Sequence, residues 1–145
     1  NVEVGMTITS TDDSISRYFE KHTPSVTSRL STLSLLKQQG IKTYAFVGPL
    51  LPHFIDNEKG LDELFSSIST AGVLELYVEY LNLSPYIKGR LQNELKNLDQ
   101  RIWNKFYASQ SPKYRDELDQ IIYKLVDKYN FKLRTSETLY HKEMN

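Results

Sequence analysis

The sequence predicts an α/β fold: a parallel βαβαβ segment of a partial barrel, followed by a C-terminal pair of long α-helices. Three observations predict it. Strand-like and helix-like stretches alternate through residues 2–81, Gly40 and Gly72 directly follow two of the helical stretches, and only long helical patterns follow residue 84. We therefore expect a barrel segment over residues 1–83, a helical extension over 84–134 and a tail over 135–145.

Three predicted strands cover residues 2–9, 41–47 and 73–81. Because strand side chains alternate between faces, Thr7 and Thr9 share one face of the first strand, and Glu75, Tyr77 and Glu79 share one face of the third. Polar side chains on parallel strands are costly unless they line a wet or liganded space. With the helices on the other face, this favours a barrel segment over a doubly wound sheet. A face simply exposed to solvent is the alternative explanation, above all for Glu75.

The helices are marked by caps and apolar stripes. A short helix over 14–21 follows Asp12, a second begins near Val26 and ends before Gly40, and a third covers 61–71 and ends at Gly72. Beyond Ser84-Pro85, one apolar stripe runs through 87–106, and a second stripe through 114–129 is opened by Ser111-Pro112. We expect these two long helices to pack as an antiparallel pair, with a short strand at 131–133.

Composition excludes several kinds of site. The chain has no cysteine, so it holds no disulfide, thiolate metal site or cysteine nucleophile, and a cytoplasmic location is expected. Its apolar runs are too short for a membrane helix. The formal net charge is zero, although residues 84–135 carry 11 basic and 6 acidic side chains. The three histidines have no spacing that predicts a metal site.

Candidate site residues lie at the carboxyl ends of the predicted strands, where ligands bind in parallel α/β barrels. They belong to the segments 9–12, 47–50 and 80–82. Hydroxyl groups of Thr and Ser can hydrogen-bond a ribose or a carboxylate, and Gly48 permits close approach of a flat ligand. Helix capping is the alternative role for Ser10 and Asp12. Glycine-rich phosphate loops are absent from the sequence.

Four ordered segments resemble a known family. They are V-G-M-T-I-T-S-T-D-D (4–13), H-T-P-S-V-T-S-R-L (22–30), Q-G-I-K-T-Y-A-F-V-G-P-L-L-P (39–52) and E-Y-L-N-L (79–83). Together they are similar to the C-terminal half of radical S-adenosylmethionine proteins, in the spore photoproduct lyase-like subgroup, also described as DNA repair photolyase-like. The resemblance implies a partial TIM-type (β/α)6 barrel, of which strands four, five and six are present here.

The resemblance also implies roles for individual residues. Hydroxyls of strand four lie near S-adenosylmethionine, which implies that role for Thr7, Thr9 and Ser10. Strand five supplies an adenine wall, carried over to the segment Gly48, Pro49 and Leu50. The end of strand six corresponds to Leu81 and Asn82, with Asn82 facing the cofactor, and Glu79 points towards the substrate.

One departure from the family pattern is decisive for activity. The family's three-cysteine motif binds a 4Fe-4S cluster, and this chain has no cysteine to do so. The chain also opens at Asn1 directly on a strand, so we expect its partner to be a missing N-terminal half of the same polypeptide. The parent is then a radical S-adenosylmethionine enzyme of the lyase or transferase type, and this chain alone is inactive and binds neither cofactor appreciably.

Two other hypotheses stay open at the level of sequence. In one, the chain is a non-enzymatic α/β binding module whose basic helices, 84–134, dock on nucleic acid or protein. Such binding weakens steeply with salt where phosphates are contacted. In the other, the chain is part of an unrelated barrel enzyme with a different cofactor.

Overall fold

The predicted alternation of strands and helices is present in the computed structural model, which describes residues 1–141. Four strands form one parallel sheet in the order β1-β2-β3-β4, accompanied by six helices in the described residues. The α/β class and the parallel strands are confirmed. The elements are β1 (Glu3–Ile8), α1 (Asp13–Phe19), α2 (Val26–Gln38), β2 (Lys42–Leu50), α3 (Glu58–Thr70), β3 (Glu75–Tyr80), α4 (Pro85–Glu94), α5 (Gln100–Ala108), α6 (Pro112–Lys128) and β4 (Lys132–Leu133).

Local sequence explains where these helices begin and end. Asp12 caps α1 by accepting hydrogen bonds from the backbone N–H groups of Ser14 and Ile15, and Ser111 caps α6 in the same manner. Gly40 and Gly72 follow α2 and α3 with φ values of +75° and +82°, which an L-residue with a side chain rarely adopts. The chain therefore turns directly from each helix into the next strand.

The sheet buries one face under helices α2, α3 and α6. Ile8 of β1, Val47 of β2 and Val78 of β3 are register partners and are fully buried on this face. They pack with the apolar stripes of the three helices in a single core. At about 25 cal/mol per Å² of apolar surface, this core is the main stabilising contribution to the fold.

The other face of the sheet carries polar and aromatic side chains. Thr7, Phe46 and Tyr77 are register partners across β1, β2 and β3, and each is partly exposed. Glu75 and Glu79 flank Tyr77 on the same face of β3, since side chains two residues apart share a face. We call this surface, formed by Thr7, Phe46, Glu75, Tyr77 and Glu79, the open face.

The structure corrects the prediction for the helical extension. The stripe through 87–106 is not one long helix but two shorter ones, α4 and α5, so three helices follow β3 in place of a pair. Asp99 explains the break, because its carboxylate accepts a hydrogen bond of 2.7 Å from the backbone N–H of Arg101 and caps α5. Asp prefers such a position to a helix interior.

Strand β2 is longer than the sequence predicts. Gly48 and Pro49 were expected to end it near Val47, but β2 continues to Leu50. A shift in register between Val47 and Leu50 accommodates the interruption. Because proline lacks a backbone N–H, it is tolerated in a sheet only at such irregular positions or at an edge.

The expected tail is fastened to β3 as far as the structure describes it. Leu139 donates a backbone hydrogen bond to Val78 and accepts one from Tyr80, which continues the fourth-strand position beyond β4. Thr138 donates to Asp119 of α6. Residues 142–145 lie outside the described residues.

Helices α3 and α6 are joined by ion pairs on their outer surface. Lys124 and Lys128 of α6 lie 2.9 and 2.7 Å from the carboxylates of Glu58 and Asp62 in α3. These pairs neutralise part of the basic surplus of residues 84–135. In the described part of the chain, no helix combines the length and the hydropathy that crossing a membrane requires.

Candidate functional site

A cavity of about 290 Å³ lies at the carboxyl ends of β1, β2 and β3. In parallel sheets this edge is where ligands bind, because the loops that follow the strands converge there. The cavity also borders α4, so it has a floor from the strands and a cover from the helical extension. Its lining residues are Thr7, Thr9, Phe19, Glu20, Gly48, Pro49, Leu51, Leu81, Ile87, Arg90 and Leu91.

The floor of the cavity is polar and fixed by a buried ion pair. The Thr9 hydroxyl donates a hydrogen bond of 2.9 Å to Glu20, and Arg29 of α2 donates to both Glu20 oxygens at 3.2 Å. Arg29 also donates to the backbone carbonyl of Thr7 at 2.8 Å. One arginine thus connects the end of β1, the end of α1 and the start of α2, and holds the two threonines of the floor in place.

The wall on the side of β2 consists of Gly48 and Pro49 of that strand and of Leu51, which directly follows it. Gly48 is required by packing, since a Cβ at this position would lie 2.9 Å from the Cβ of Glu79. The Leu50 side chain, predicted as part of the wall, is buried in the core instead. The irregular register at Pro49 explains the exchange, because it alters which side chains face the cavity.

Leu81 and the apolar side chains of α4 line the remaining side. Leu81, which follows β3, packs with Trp103 and Phe106 of α5 in a second apolar cluster, joined by Ile87 and Leu91 of α4. Gln110 positions this segment by accepting from the Leu83 backbone N–H at 2.8 Å and donating to the Leu81 carbonyl at 3.0 Å. The helical extension therefore contributes side chains of α4 to the cavity lining.

Besides Leu50, two other predicted cofactor residues, Ser10 and Asn82, lie outside the cavity lining. Ser10 is buried and its hydroxyl oxygen accepts a hydrogen bond from the Asp12 backbone N–H, so it stabilises the turn before α1. Asn82 donates its side-chain N–H to the backbone carbonyl of His141. Helix capping, the alternative role considered for Ser10 and Asp12, is what the structure shows for Asp12, whereas Ser10 stabilises the turn before the helix.

Glu79 lies on the open face beside Gly48, next to the cavity but not in its lining. Its Oε1 is 3.2 Å from Nε2 of His141. Burial raises the pKa of Glu79 above its ordinary value of 4.5, and the nearby imidazole lowers it by a smaller amount. Glu79 and His141 thus form a carboxyl–imidazole pair at the edge of the site.

The opposite end of the open face is filled by a charge network. Lys42 lies 2.7 Å from Glu3 and 3.2 Å from Glu75, and Arg134 lies 2.9 Å from Glu3. The Arg134 guanidinium also stacks 4.4 Å above the Tyr44 ring. The larger cavity lies at the carboxyl end of the strands, whereas a smaller one, of about 70 Å³, lies at the amino end beside Lys42, Thr43 and Glu75.

Sequence reasoning missed several residues of this site. Glu20 and Arg90 looked like ordinary surface charges, and Glu20 is nine residues away from its ion-pair partner Arg29. His141 is joined to Glu79 across 62 residues of sequence only because Leu139 pairs with β3. Arg29 alone gave a signal, because it falls among the apolar positions of the α2 stripe.

Metal ligands are not clustered in the described residues. Within 1–141, no three His, Asp or Glu side chains come together as a set that can hold a metal ion. The polar groups of the cavity are hydroxyls, a paired carboxylate and a guanidinium, which suit an organic ligand with hydrogen-bonding and charged groups.

Comparison with known proteins identifies relatives without assigned functions. An uncharacterized protein of Methanocaldococcus jannaschii is 34% identical over 85 residues, which are 57% of this chain and 30% of that protein. Uncharacterized proteins of Mycobacterium bovis and Mycobacterium tuberculosis are 26% identical over 135 residues, which are 88% of this chain and 39% of each of them. The chain thus spans about a third of the length of the curated relatives it matches.

No protein-family model matches the chain. No solved structure matches it either. Any assignment of function therefore depends on the geometry of the cavity and on the motifs of the sequence.

Proposed function

We propose that this chain forms half of the S-adenosylmethionine and substrate pocket of a radical S-adenosylmethionine enzyme, spore photoproduct lyase-like (DNA repair photolyase-like) in type. The observation that carries the proposal is the cavity at the carboxyl ends of three parallel strands, lined by Thr7, Thr9, Gly48 and Pro49. These residues lie in two of the four sequence segments that resemble the family. The proposed enzyme is cytoplasmic.

The order of the strands and the position of the helices support a partial (β/α)6 barrel of the TIM type. The strands are parallel and adjacent in chain order, and α2, α3 and α6 pack on the same face. A doubly wound sheet places helices on both faces and reverses the strand order at a switch point. Here the second face is instead polar and aromatic, as the inside of a barrel with a liganded lumen is.

The residues of the cavity fit part of S-adenosylmethionine. Thr7 and Thr9 offer hydroxyl groups to a ribose, the Gly48–Pro49 backbone and Leu51 offer a wall to the adenine, and Leu81 closes the apolar side. The volume of about 290 Å³ lies at the lower limit of small-molecule sites, which span roughly 300–1,000 Å³. A half-site accounts for this small volume.

The residues of this chain do not fit the cluster. A 4Fe-4S cluster is held by cysteine thiolates, and the chain has none. In the family that the sequence resembles, the cluster bound elsewhere in the polypeptide supplies the electron for reductive cleavage of S-adenosylmethionine. What this chain contributes is binding and orientation of the nucleoside, exclusion of water by α4, and the Glu79 carboxyl on the substrate side.

The half-site is tested directly on this chain by titration with S-adenosylhomocysteine, a stable analogue, observed in ¹H–¹⁵N spectra. We expect millimolar binding, with shift changes confined to residues 7–9, 48–51 and 81–91. Thr9→Val, which keeps the shape of the side chain and removes its hydroxyl, should weaken binding, and Thr32→Val on the exposed side of α2 is the matched control. Micromolar affinity, or the absence of shift changes in the cavity, would overturn the half-site.

The proposal for the whole protein requires a different measurement. We expect the full-length protein, purified without oxygen, to contain about four iron and four sulfide ions per chain. A full-length protein that contains neither would overturn the radical mechanism while leaving the nucleoside half-site to be judged by the titration.

A further inference from the structure

Two formally charged side chains line the cavity, and they differ in how many hydrogen bonds each makes within the protein. Glu20 comes from the C-cap of α1, and Arg90 comes from α4. A ligand that enters the cavity meets both. Which of them is available to a ligand depends on the partners that each already has within the protein.

Glu20 is occupied by internal hydrogen bonds. Its two oxygens accept from Arg29, from the Thr9 hydroxyl and from the Ser16 hydroxyl, all at 2.9–3.2 Å. The side chain of Arg29 is only 9% exposed, so its positive charge compensates Glu20 away from water. The negative charge on this side of the cavity is therefore balanced by the protein itself.

Arg90 is bound far more weakly. Its described partner is Glu94, one turn further along the same helix, with Nε 3.2 Å from the carboxylate. The two side chains are 57% and 39% exposed, and exposed pairs of this spacing shift an equilibrium by only about twofold. The Nη groups make no hydrogen bond within residues 1–141, so several guanidinium donors face the cavity and solvent without a protein acceptor.

Helix α4, which carries Arg90, presents apolar and charged side chains to the cavity. No residue of α4 is buried, and its Ile87 and Leu91, one turn apart, face the cavity together with Arg90. A ligand under α4 thus gains apolar contact from the two aliphatic side chains and a charged contact from the guanidinium. Arginine binds carboxylates and phosphates through two parallel N–H donors, which gives direction as well as affinity.

We propose that Arg90 is the anion-binding residue of this cavity and that it binds the carboxylate of the ligand's amino-acid end, with the nucleoside held by the threonine floor. This inference rests on the proposed function, because it takes the ligand to be S-adenosylmethionine. It adds a contact from the helical extension, outside the four segments that resemble the family. The ligand class is a nucleoside that carries an anionic group.

The test compares three ligands that differ in their anionic group: S-adenosylhomocysteine carries a carboxylate, 5′-methylthioadenosine carries none, and adenosine monophosphate carries a phosphate. Dissociation constants are measured by ¹H–¹⁵N titration for the wild type, Arg90→Ala, Arg90→Lys and Arg101→Ala. The last variant is the matched control, because Arg101 also pairs with a neighbouring carboxylate, Asp99, but lies outside this cavity.

We expect Arg90→Ala to weaken the binding of S-adenosylhomocysteine about three- to tenfold and to leave the binding of 5′-methylthioadenosine unchanged. Arg90→Lys should retain part of the affinity, and Arg101→Ala all of it. If Arg90→Ala weakens the binding of S-adenosylhomocysteine and of 5′-methylthioadenosine equally, Arg90 only packs against the nucleoside. If it changes neither affinity, Arg90 makes no contact with the ligand. Either result overturns the proposal. If Arg90→Ala weakens only the binding of adenosine monophosphate, the assignment of the anion as a carboxylate is overturned. Binding of none of the three ligands to the wild type would overturn the half-site as well.

Discussion

Replacing Arg29 with methionine tests whether the buried ion pair holds the floor of the cavity together. The substitution keeps an unbranched side chain of similar reach and removes the guanidinium. Five hydrogen bonds are lost: two to Glu20, and one each to the carbonyls of Thr7 and Pro24 and to the hydroxyl of Thr23. Glu20 is left as a partly buried carboxylate with no positive partner.

The expected cost follows from the burial of the two partners. Removing one side of a buried ion pair typically costs about 3–5 kcal/mol. The Glu20 side chain is 21% exposed, so water reaches part of the carboxylate, and we expect the lower limit of about 3 kcal/mol. With an m value of about 2 kcal/mol/M in urea, the unfolding midpoint should fall by about 1.5 M.

The measurement is equilibrium unfolding in urea, observed by circular dichroism and by the fluorescence of Trp103. Arg17→Met, at an exposed position of α1, is the matched control and should leave the midpoint unchanged. The double variant Glu20→Gln, Arg29→Met should be more stable than Arg29→Met alone, because no unpaired charge then stays buried. A loss below about 1 kcal/mol, or a double variant no more stable than the single one, would refute this account of the floor.

Three further substitutions test other parts of the site. Gly48→Ala places a Cβ 2.9 Å from the Cβ of Glu79 and should cost about 1–3 kcal/mol, measured as a lower urea midpoint; an unchanged midpoint would contradict the packing. Tyr80→Phe removes hydrogen bonds of 2.6 and 3.0 Å to Asp119 and to the carbonyl of Arg115, and should cost about 1–2 kcal/mol in the same assay, whereas a gain in stability would be inconsistent with a buried donor. Glu79→Gln removes a carboxyl whose pKa burial raises above 4.5, so the wild type should lose stability relative to the variant as the pH rises from 4.5 through the folded-state pKa. Unfolding at a series of pH values checks this, and a difference independent of pH would refute it.

Local chemistry made much of the fold predictable. Asp12 and Ser111 cap the helices that the sequence assigns to them, and Gly40 and Gly72 occupy the left-handed positions that end α2 and α3. Each of these signals acts over one helical turn, so it is visible in the sequence. The parallel arrangement followed from the short links after Gly40 and Gly72.

Features that depend on distant partners were not predictable. The division between α4 and α5 depends on whether Asp99 caps a helix or lies on its exposed face, and both are compatible with the same apolar stripe. The fourth-strand position of Leu139 depends on a free edge of β3, which only the assembled sheet provides. For the same reason, no local sequence pattern predicts the contact between His141 and Glu79.

The candidate site was predictable to the extent that topology alone determines it. Thr7, Thr9, Gly48 and Pro49 meet at one cavity because parallel strands in chain order bring their carboxyl ends to the same edge. No such rule applies to helices that follow the last long strand, whose placement depends on which apolar surface is left uncovered.

That uncovered surface explains why the helical extension completes the cavity. Leu81, directly after β3, packs with Trp103 and Phe106, and burying this cluster holds α5 against the segment that follows β3. Helix α4 must then span the short distance from Ser84 to α5, which places Ile87 and Leu91 over the cavity. The charge network of Glu3, Lys42, Glu75 and Arg134 occupies most of the amino end of the open face, so the larger cavity lies at the other end, beside α4. The position of the larger cavity is thus a consequence of apolar burial at one end of the strands and ion pairing at the other.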